Sequence, residues 1–361
     1  MTDYPEFMLS TTRPLPDEGV ISCASPSNIA LVKYWGKRPI QLPQNTSISF
    51  TLDTCKTVTN LTFVKRDTAA DNFDFELIFE GQPKPDFKPK IQDFFERIAP
   101  YLPFLQQYTF TIETHNTFPH SSGIASSASG MSALAFCLMH LEKKINPAIS
   151  DPELIKKASF LARLGSGSAC RSLEGPVTVW GKHEAIPGSN DAFAIKFPEN
   201  LHQNFEHYQD TILLIDKGEK QVSSTVGHDL MHDHPFASKR FEQASKNTKK
   251  LKNILRSGDV DAFIEVVESE ALTLHAMMMT SLPYFILMKP NTLSVLQKIW
   301  EYRKNTDSKI CFTLDAGANV HLLYPEVEKV QVSEFINNEL VAYCQNGQYI
   351  CDKIGFGVKL L

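Results

Sequence analysis

Phe118-Pro119-His120-Ser121-Ser122-Gly123-Ile124-Ala125-Ser126-Ser127-Ala128-Ser129-Gly130-Met131-Ser132 is the stretch on which the fold turns. It is a glycine- and serine-rich loop that feeds an apolar helical run, Ala133 to Leu141. At such a junction backbone N–H groups converge on an anion, and the dipole of the following helix favours negative charge there. Serines in the loop can cap the helix and bind phosphate. The stretch therefore has the makings of a phosphate cradle, although the same composition also serves as a plain turn ahead of a core helix. It is not a Walker A loop, because no Lys-Ser or Lys-Thr pair follows the second glycine. A phosphate held here needs cations from elsewhere in the chain.

Upstream, Tyr108, Phe110 and Ile112 alternate in a strand that leads into the loop. Ile91, Phe94, Phe95 and Ile98 have helical spacing. Phe73, Phe75, Leu77 and Phe79 alternate up to Gly81, and this strand and Thr57 to Val64 are expected to form a meander with the strand that precedes them. Asn45 to Asp53 alternates as a separate half-buried strand. Ile21 to Val32 is strand-like at both ends and interrupted by Ser25-Pro26-Ser27-Asn28.

Downstream, Asp151-Pro152 starts a helix with the Asp151 carboxylate as N-cap, ending near Gly165. Strands are expected at Val177 to Trp180, around Ala192 to Phe197, and at Thr211 to Ile215. After Lys217 the chain turns helical, with amphipathic runs from Phe236 to Ile254, Val260 to Met278 and Thr292 to Arg303. Ile310, Phe312 and Leu314 alternate into Asp315-Ala316-Gly317-Ala318-Asn319, and Val320 to Tyr324 resumes as strand. A helix over Val332 to Tyr343 and a strand over Tyr349 to Leu360 close the sequence. The pattern gives an α+β protein of two lobes, 1–205 and 206–361, with a ligand cleft between them.

Bulk properties narrow the function. The 361 residues are 42% hydrophobic and 21% charged, an ordinary globular balance. A net charge of −5 argues against a nucleic-acid-binding surface, so any anion site must be local. Seven cysteines at irregular spacing, with no C-x-x-C pair, fit free thiols in a reducing compartment. No signal-peptide pattern and no bilayer-length apolar run is present, so a cytoplasmic location is expected.

Four polar, glycine-containing segments stand out: Lys33-Tyr34-Trp35-Gly36-Lys37, the opening loop, Gly165-Ser166-Gly167-Ser168-Ala169-Cys170-Arg171-Ser172, and the Asp315 turn. Phosphoryl transfer needs an anion cradle, cations, a group that orients or deprotonates the acceptor hydroxyl, and Mg²⁺. Asp315, at a strand end, can accept a hydroxyl proton or simply hold its own turn. Arg171 suits a substrate carboxylate or phosphate, or a structural ion pair with a distant acid. The Lys33–Lys37 cluster taken alone is an ordinary solvated loop. His228, His232 and His234, beside Asp229 and Asp233, offer an i, i+4 metal spacing, set against a solvated polar stretch leading into the next helix.

Together these segments resemble the diphosphomevalonate decarboxylases of the GHMP kinase superfamily. The resemblance lies in Asn28 to Arg38, Ser47 to Leu52, Phe118 to Ser129, Gly165 to Ser172, and Asp315-Ala316-Gly317 with Asn319. Weaker matches are Val222 to Gly227, His275-Ala276 and Leu282-Pro283. The resemblance implies a GHMP kinase fold, with a ribosomal protein S5 domain 2-like N-terminal lobe and a ferredoxin-like C-terminal lobe. It also implies ATP and Mg²⁺ as cofactors, mevalonate diphosphate as substrate, and a homodimer with neither nucleic-acid nor membrane partners.

The roles it assigns follow the matched motifs. Ser121, Ser122, Gly123, Ala125, Ser126 and Ser127 hold ATP, and Ser127 is also a candidate Mg²⁺ ligand near the transferring phosphate. Asp315 faces the 3-hydroxyl of the substrate, Lys33 sits beside it, and Arg171 takes the substrate carboxylate. Tyr34, Lys37, Ser223 and Ser224 hold the diphosphate, while Ser166, Ser168 and Asn28 form or support the substrate pocket. The chain departs from the family pattern in four places. Ala318 stands where Pro is usual, His228-Asp229 follows Gly227 where Met is usual, and Glu174-Gly175-Pro176 replaces a glycine pair. The adenine-side Asp…Leu-Asn-Gly segment has no clear counterpart around Phe73 to Gly81. Related readings are a mevalonate 3-kinase, a monophosphate decarboxylase, or a catalytically silent isoprenoid-phosphate-binding paralogue.

Overall fold

The structure, a computed structural model, describes residues 4–9, 14–68, 72–119, 124–218 and 224–361, without the side chains of residues 224 and 225. Strand β1 (Glu18–Val32) runs unbroken through Pro26. Its pairing with β2 (Ser47–Lys65) shifts register between Pro26 and Asn28 and again between Ala30 and Val32. Proline has no N–H to give a ladder, so the interruption expected there becomes a bulge, and both ends remain one strand. β2 likewise joins the two strands expected at Asn45–Asp53 and Thr57–Val64. The bend between them is held by Asp352, whose carboxylate accepts the N–H groups of Asp53, Thr54 and Cys55 at 2.7–3.0 Å.

β3 (Asp74–Phe79) lies parallel to β4 (Tyr108–Asn116), and β4 separates it from β2. The expected meander is therefore a crossover. Helix α1 (Lys88–Ile98) intervenes between the two strands, as a parallel connection requires. Its buried face is Ile91, Phe94, Phe95 and Ile98, as the spacing predicts.

Helix α2 (Ser126–Ile145) begins after Ala125, which occupies the cap position with φ of 47° and makes no side-chain cap hydrogen bond. Ala125, rather than a serine, thus holds the cap position. Helix α3 (Asp151–Gly165) is capped by Ser150, one residue before the expected Asp151. Ser150 Oγ accepts from the Glu153 N–H, and the Glu153 carboxylate accepts the Ser150 N–H in return. Asp151 pairs with Lys143 instead. β5 (Val177–Trp180) completes the β2 edge, and the strand expected near Ala192–Phe197 contracts to Ile195–Lys196.

The second lobe is built on a four-stranded antiparallel sheet in the order β7-β8-β6-β9, where β6 is Gln209–Leu213, β7 Cys311–Leu314, β8 Val320–Tyr324 and β9 Tyr349–Lys353. Against it lie α5 (Ala237–Ser257), α6 (Val260–Thr280) and α7 (Pro290–Thr306), while α4 (Ser224–Asp229) meets Trp35 and Gly36 of the first lobe. The helix expected over Val332–Tyr343 begins at Lys329 and ends α-helical at Phe335, continuing through a π turn and a 3₁₀ turn to Tyr343.

The last expected strand divides. Tyr349–Lys353 stays in the second sheet, and Lys359–Leu360 returns to pair with Cys23 and Ala24 of β1. Between them a Cβ on Gly355 would lie 2.5 Å from the Leu52 carbonyl oxygen, so the crossing depends on glycine there. An apolar cluster also joins the lobes: the Phe50 ring lies 6.0 Å from Phe263 and 6.1 Å from Tyr208. Among the described residues no helix is long and apolar enough to cross a membrane. The seven cysteines are all free, and Cys351 alone among them is exposed.

Candidate active site

A cleft of about 740 Å³ opens between the lobes, a volume suited to small-molecule ligands. All four singled-out segments reach it. Lys33, Tyr34 and Lys37 come from the chain just past β1, and Ala125, Ser126 and Ser127 from the start of α2. Ser166, Ser168 and Arg171 come from the turn after α3, and Asp315 from the end of β7. Ser121, Ser122, Gly123 and Ser223 lie outside the described residues, and so does the side chain of Ser224.

Lys33 is 2% exposed. Its Nζ donates to the Ala30 carbonyl at 2.6 Å, and its backbone N–H donates to Glu270 Oε2 at 2.9 Å. Arg240 donates to the Lys33 carbonyl at 3.1 Å and pairs with Glu270 at 2.6 Å, both side chains fully buried. Burial pulls the Lys33 amine down to about 8, while the nearby Asp315 and Glu270 carboxylates oppose the fall. The segment is thus far from the solvated loop that its composition suggests.

Arg171 is 4% exposed, and its Nε and Nη1 have no partner among the described residues. Burial lowers its pKa, and the negative charge of Asp315 acts against that. Among the described residues no acidic side chain forms an ion pair with it. Asn28 Nδ2 donates to Ser172 Oγ at 2.8 Å and to the Ser168 carbonyl at 3.3 Å, fixing the turn that carries Arg171. Its Oδ1 is buried without a partner among the described residues. The Asp315 carbonyl accepts from His275 Nε2 at 3.1 Å and from the Gly317 N–H at 2.8 Å, which sets the turn. Lys37 pairs with Asp229 at 3.2 Å. The Tyr34 ring packs edge-on to Trp180 at 4.6 Å, and a Cβ on Gly167 would lie 2.9 Å from both residues.

The arrangement matches an anionic ligand set. One carboxylate faces a lysine and an unpaired arginine, with a helix start beside them. Among the described residues no group of three metal-ligating side chains gathers, so a divalent ion here would be held largely by ligand phosphates, with Ser127 at hand.

Two family models match the chain. A diphosphomevalonate decarboxylase-like N-terminal domain covers residues 25–194, and a mevalonate 5-diphosphate decarboxylase C-terminal domain covers residues 211–354. The chain belongs to the diphosphomevalonate decarboxylase family. The diphosphomevalonate decarboxylase of Saccharomyces cerevisiae is 28% identical over 335 residues, covering 87% of this chain and 80% of that protein. The mevalonate diphosphate decarboxylase of Staphylococcus aureus superposes with a TM-score of 0.81 at 27% identity, covering 95% of this chain and 98% of that one. A complex of MDDEF with MVAPP, AMPPCP and magnesium gives 0.80 at 28% identity, with 95% and 99% covered. The fold is accordingly that of the diphosphomevalonate decarboxylases and their GHMP kinase relatives.

Some residues in and behind the cleft of this decarboxylase-family chain escape sequence reading. Glu270 and Arg240 look like two ordinary helix charges until the fold buries them together behind Lys33. The far end of the cleft is lined by residues that include Phe79, Phe87, Ile112, Asn116 and Leu134, and strand alternation alone does not separate a pocket wall from core. His228 does carry a signal, as part of the histidine cluster, but that cluster is neither a metal site nor a solvated stretch. His228 and His234 are buried and only His232 is exposed. His234 Nε2 lies 3.0 Å from the Met277 carbonyl, whereas His228 lines the cleft.

Proposed function

We propose that the protein carries out the ATP-dependent decarboxylation of (R)-5-diphosphomevalonate to isopentenyl diphosphate, CO₂, ADP and phosphate, a step of the mevalonate pathway of isoprenoid biosynthesis. The observation that carries this reading is the buried Arg171 fork, unpaired among the described residues and sharing one cleft with Asp315 and Lys33. A phosphoryl-transfer site needs a carboxylate and a lysine, and a site that also expels CO₂ needs a holder for the departing carboxylate. Family membership and the nucleotide- and MVAPP-bound relative support the same assignment.

The chemistry follows from those groups. The tertiary 3-hydroxyl is a poor leaving group, so it is first phosphorylated. Asp315 accepts its proton as the oxygen attacks the γ-phosphorus of ATP, and Lys33 neutralises charge on the transferring group. The start of α2, with Ser126 and Ser127, cradles the ATP phosphates. Mg²⁺ would be held by those phosphates with Ser127 and would supply charge neutralisation. Loss of phosphate then builds positive charge at C3. Arg171 orients the substrate carboxylate, whose C–C bond breaks, and the electron pair forms the double bond as CO₂ leaves. Tyr34, Lys37 and the Ser223/Ser224 segment hold the diphosphate, and Asn28, Ser166 and Ser168 shape the pocket.

We place the enzyme in the cytoplasm as a homodimer, a reading supported by its free thiols and its family. Incubation with ATP, Mg²⁺ and each mevalonate derivative tests the function. CO₂ release with the diphosphate alone is the expected result. A phosphorylated product without CO₂ would mean a 3-kinase, CO₂ from the monophosphate would mean a monophosphate decarboxylase, and no turnover would mean a silent binding protein.

A further inference from the structure

His228 lies at the end of α4 and is 9% exposed. Its Nδ1 accepts the Gly36 N–H at 3.0 Å, which leaves the proton of the neutral ring on Nε2. Gly36 has φ of 92°, a conformation that favours glycine, and it is this backbone that turns the N–H toward the ring. The imidazole lies against the rings of Tyr34 and Trp35, with centroids 4.2 and 4.8 Å away. With Nδ1 engaged and the ring flanked by two aromatics, the Nε2 edge is left to face the cleft that His228 lines. Nδ1 is the one ring nitrogen of His228 with a hydrogen-bond partner among the described residues. Burial, together with the positive charges of Lys37 and Arg171, lowers the imidazole pKa to about 3 against the opposing pull of Asp315. The ring is a neutral donor at physiological pH.

We propose that His228 is a substrate-binding residue, its Nε2–H donating a hydrogen bond to a phosphate oxygen of the substrate beside Tyr34 and Lys37. The assignment rests on the decarboxylase reading above and adds to it a substrate contact. A neutral donor binds an anion without adding a third cation to the buried Lys33 and Arg171, which already carry the desolvation cost of their charges.

Asn and Gln substitutions separate support of Gly36 from contact with substrate. An Asn side chain places its oxygen near the position of Nδ1, keeps the Gly36 bond and falls short of the ligand. A Gln side chain carries its amide nitrogen to the position of Nε2. Steady-state kinetics on His228→Asn, His228→Gln and His228→Met, with thermal melting of each, make the test. His228→Asn and His228→Met should raise KM for diphosphomevalonate about tenfold, with a much smaller change in kcat and in KM for ATP. His228→Gln should recover most of that loss.

A wild-type KM for diphosphomevalonate in both His228→Asn and His228→Met overturns the assignment. So does a parallel rise in both substrates' KM values that tracks a fall in melting temperature, the behaviour of a purely structural histidine. If wild-type protein releases no CO₂ from the diphosphate, the decarboxylase reading fails first. Active wild type with indifferent His228 variants removes only this contact.

Discussion

The backbone N–H of Lys33 donates to Glu270 Oε2 at 2.9 Å, so a carboxylate on α6 of the second lobe holds the lysine that follows β1 of the first. Arg240 closes the arrangement by bonding both Glu270 and the Lys33 carbonyl, and Asn247 Nδ2 donates to Glu270 Oε1 at 2.7 Å. Cutting Glu270 back to Ala leaves the Arg240 guanidinium buried without its counter-ion. Glu270→Ala should cost about 3–5 kcal/mol of stability, read by urea or thermal denaturation. Glu270→Gln keeps the shape but removes one of the two carboxylates that hold the Lys33 pKa up, so the alkaline limb of its pH–rate profile should move to lower pH. A Glu270→Ala protein as stable as wild type would show that the buried pair contributes nothing.

Asp315 makes a separate case because its backbone and its carboxylate do different jobs. The carbonyl is held by His275 and Gly317, so Asp315→Asn should leave the turn intact. What it removes is the proton acceptor. ATP consumption and CO₂ release should fall together by about a thousandfold, within the range for loss of a general base. ATP hydrolysis that persists while CO₂ release stops would place the carboxylate after phosphoryl transfer.

The fold was legible where one face of an element is buried and its period is clean. The spacing of Ile91, Phe94, Phe95 and Ile98 matches the buried face of α1, and the alternation in Val320–Tyr324 matches β8. It was illegible where a distant residue changes the local account. Asp352 satisfies the N–H groups at the bend of β2 across about three hundred positions, so two expected strands are one. In the site, no segment was legible from residue type alone, because a Gly/Ser loop also serves as a turn and a Lys/Tyr cluster as a solvated loop; only their combination carried the reading. The role of His228 depends on a bond to Gly36, which is 192 residues away, and no local pattern carries that information.

In the proposed mechanism Arg171 trades stability for function. Its guanidinium is buried, with Nε and Nη1 unpaired among the described residues, and burial lowers its pKa because the charged form is disfavoured there. Arg171→Met removes the buried charge and keeps much of the side-chain volume. It should raise the melting temperature by a few degrees while abolishing CO₂ release. Arg171→Lys keeps a charge but loses the planar fork, and kcat/KM for the diphosphate should fall about a hundredfold. A drop in melting temperature for Arg171→Met would mean that the guanidinium has structural partners in solution.

Lys33 provides a proton-linkage test. Its amine titrates at about 8 in the folded protein, against 10.5 for an ordinary lysine, chiefly because it is buried. Between those two values the unfolded chain binds the extra proton, so this group's contribution to stability should rise with pH across that window. Below about pH 8 both states are charged and the full burial cost is present. Binding the anionic substrate brings negative charge next to the amine and raises its pKa again. At a pH just above 8, substrate binding should therefore take up protons. Titration calorimetry in buffers of different ionisation enthalpy should give a binding enthalpy that depends on the buffer, with the sign of proton uptake. The dependence should shrink near pH 6.5, where Lys33 is already charged, and should vanish in Lys33→Met. If the Lys33→Met protein shows the same buffer dependence as wild type, the proton goes elsewhere and Lys33 is not the group that meets the incoming phosphates.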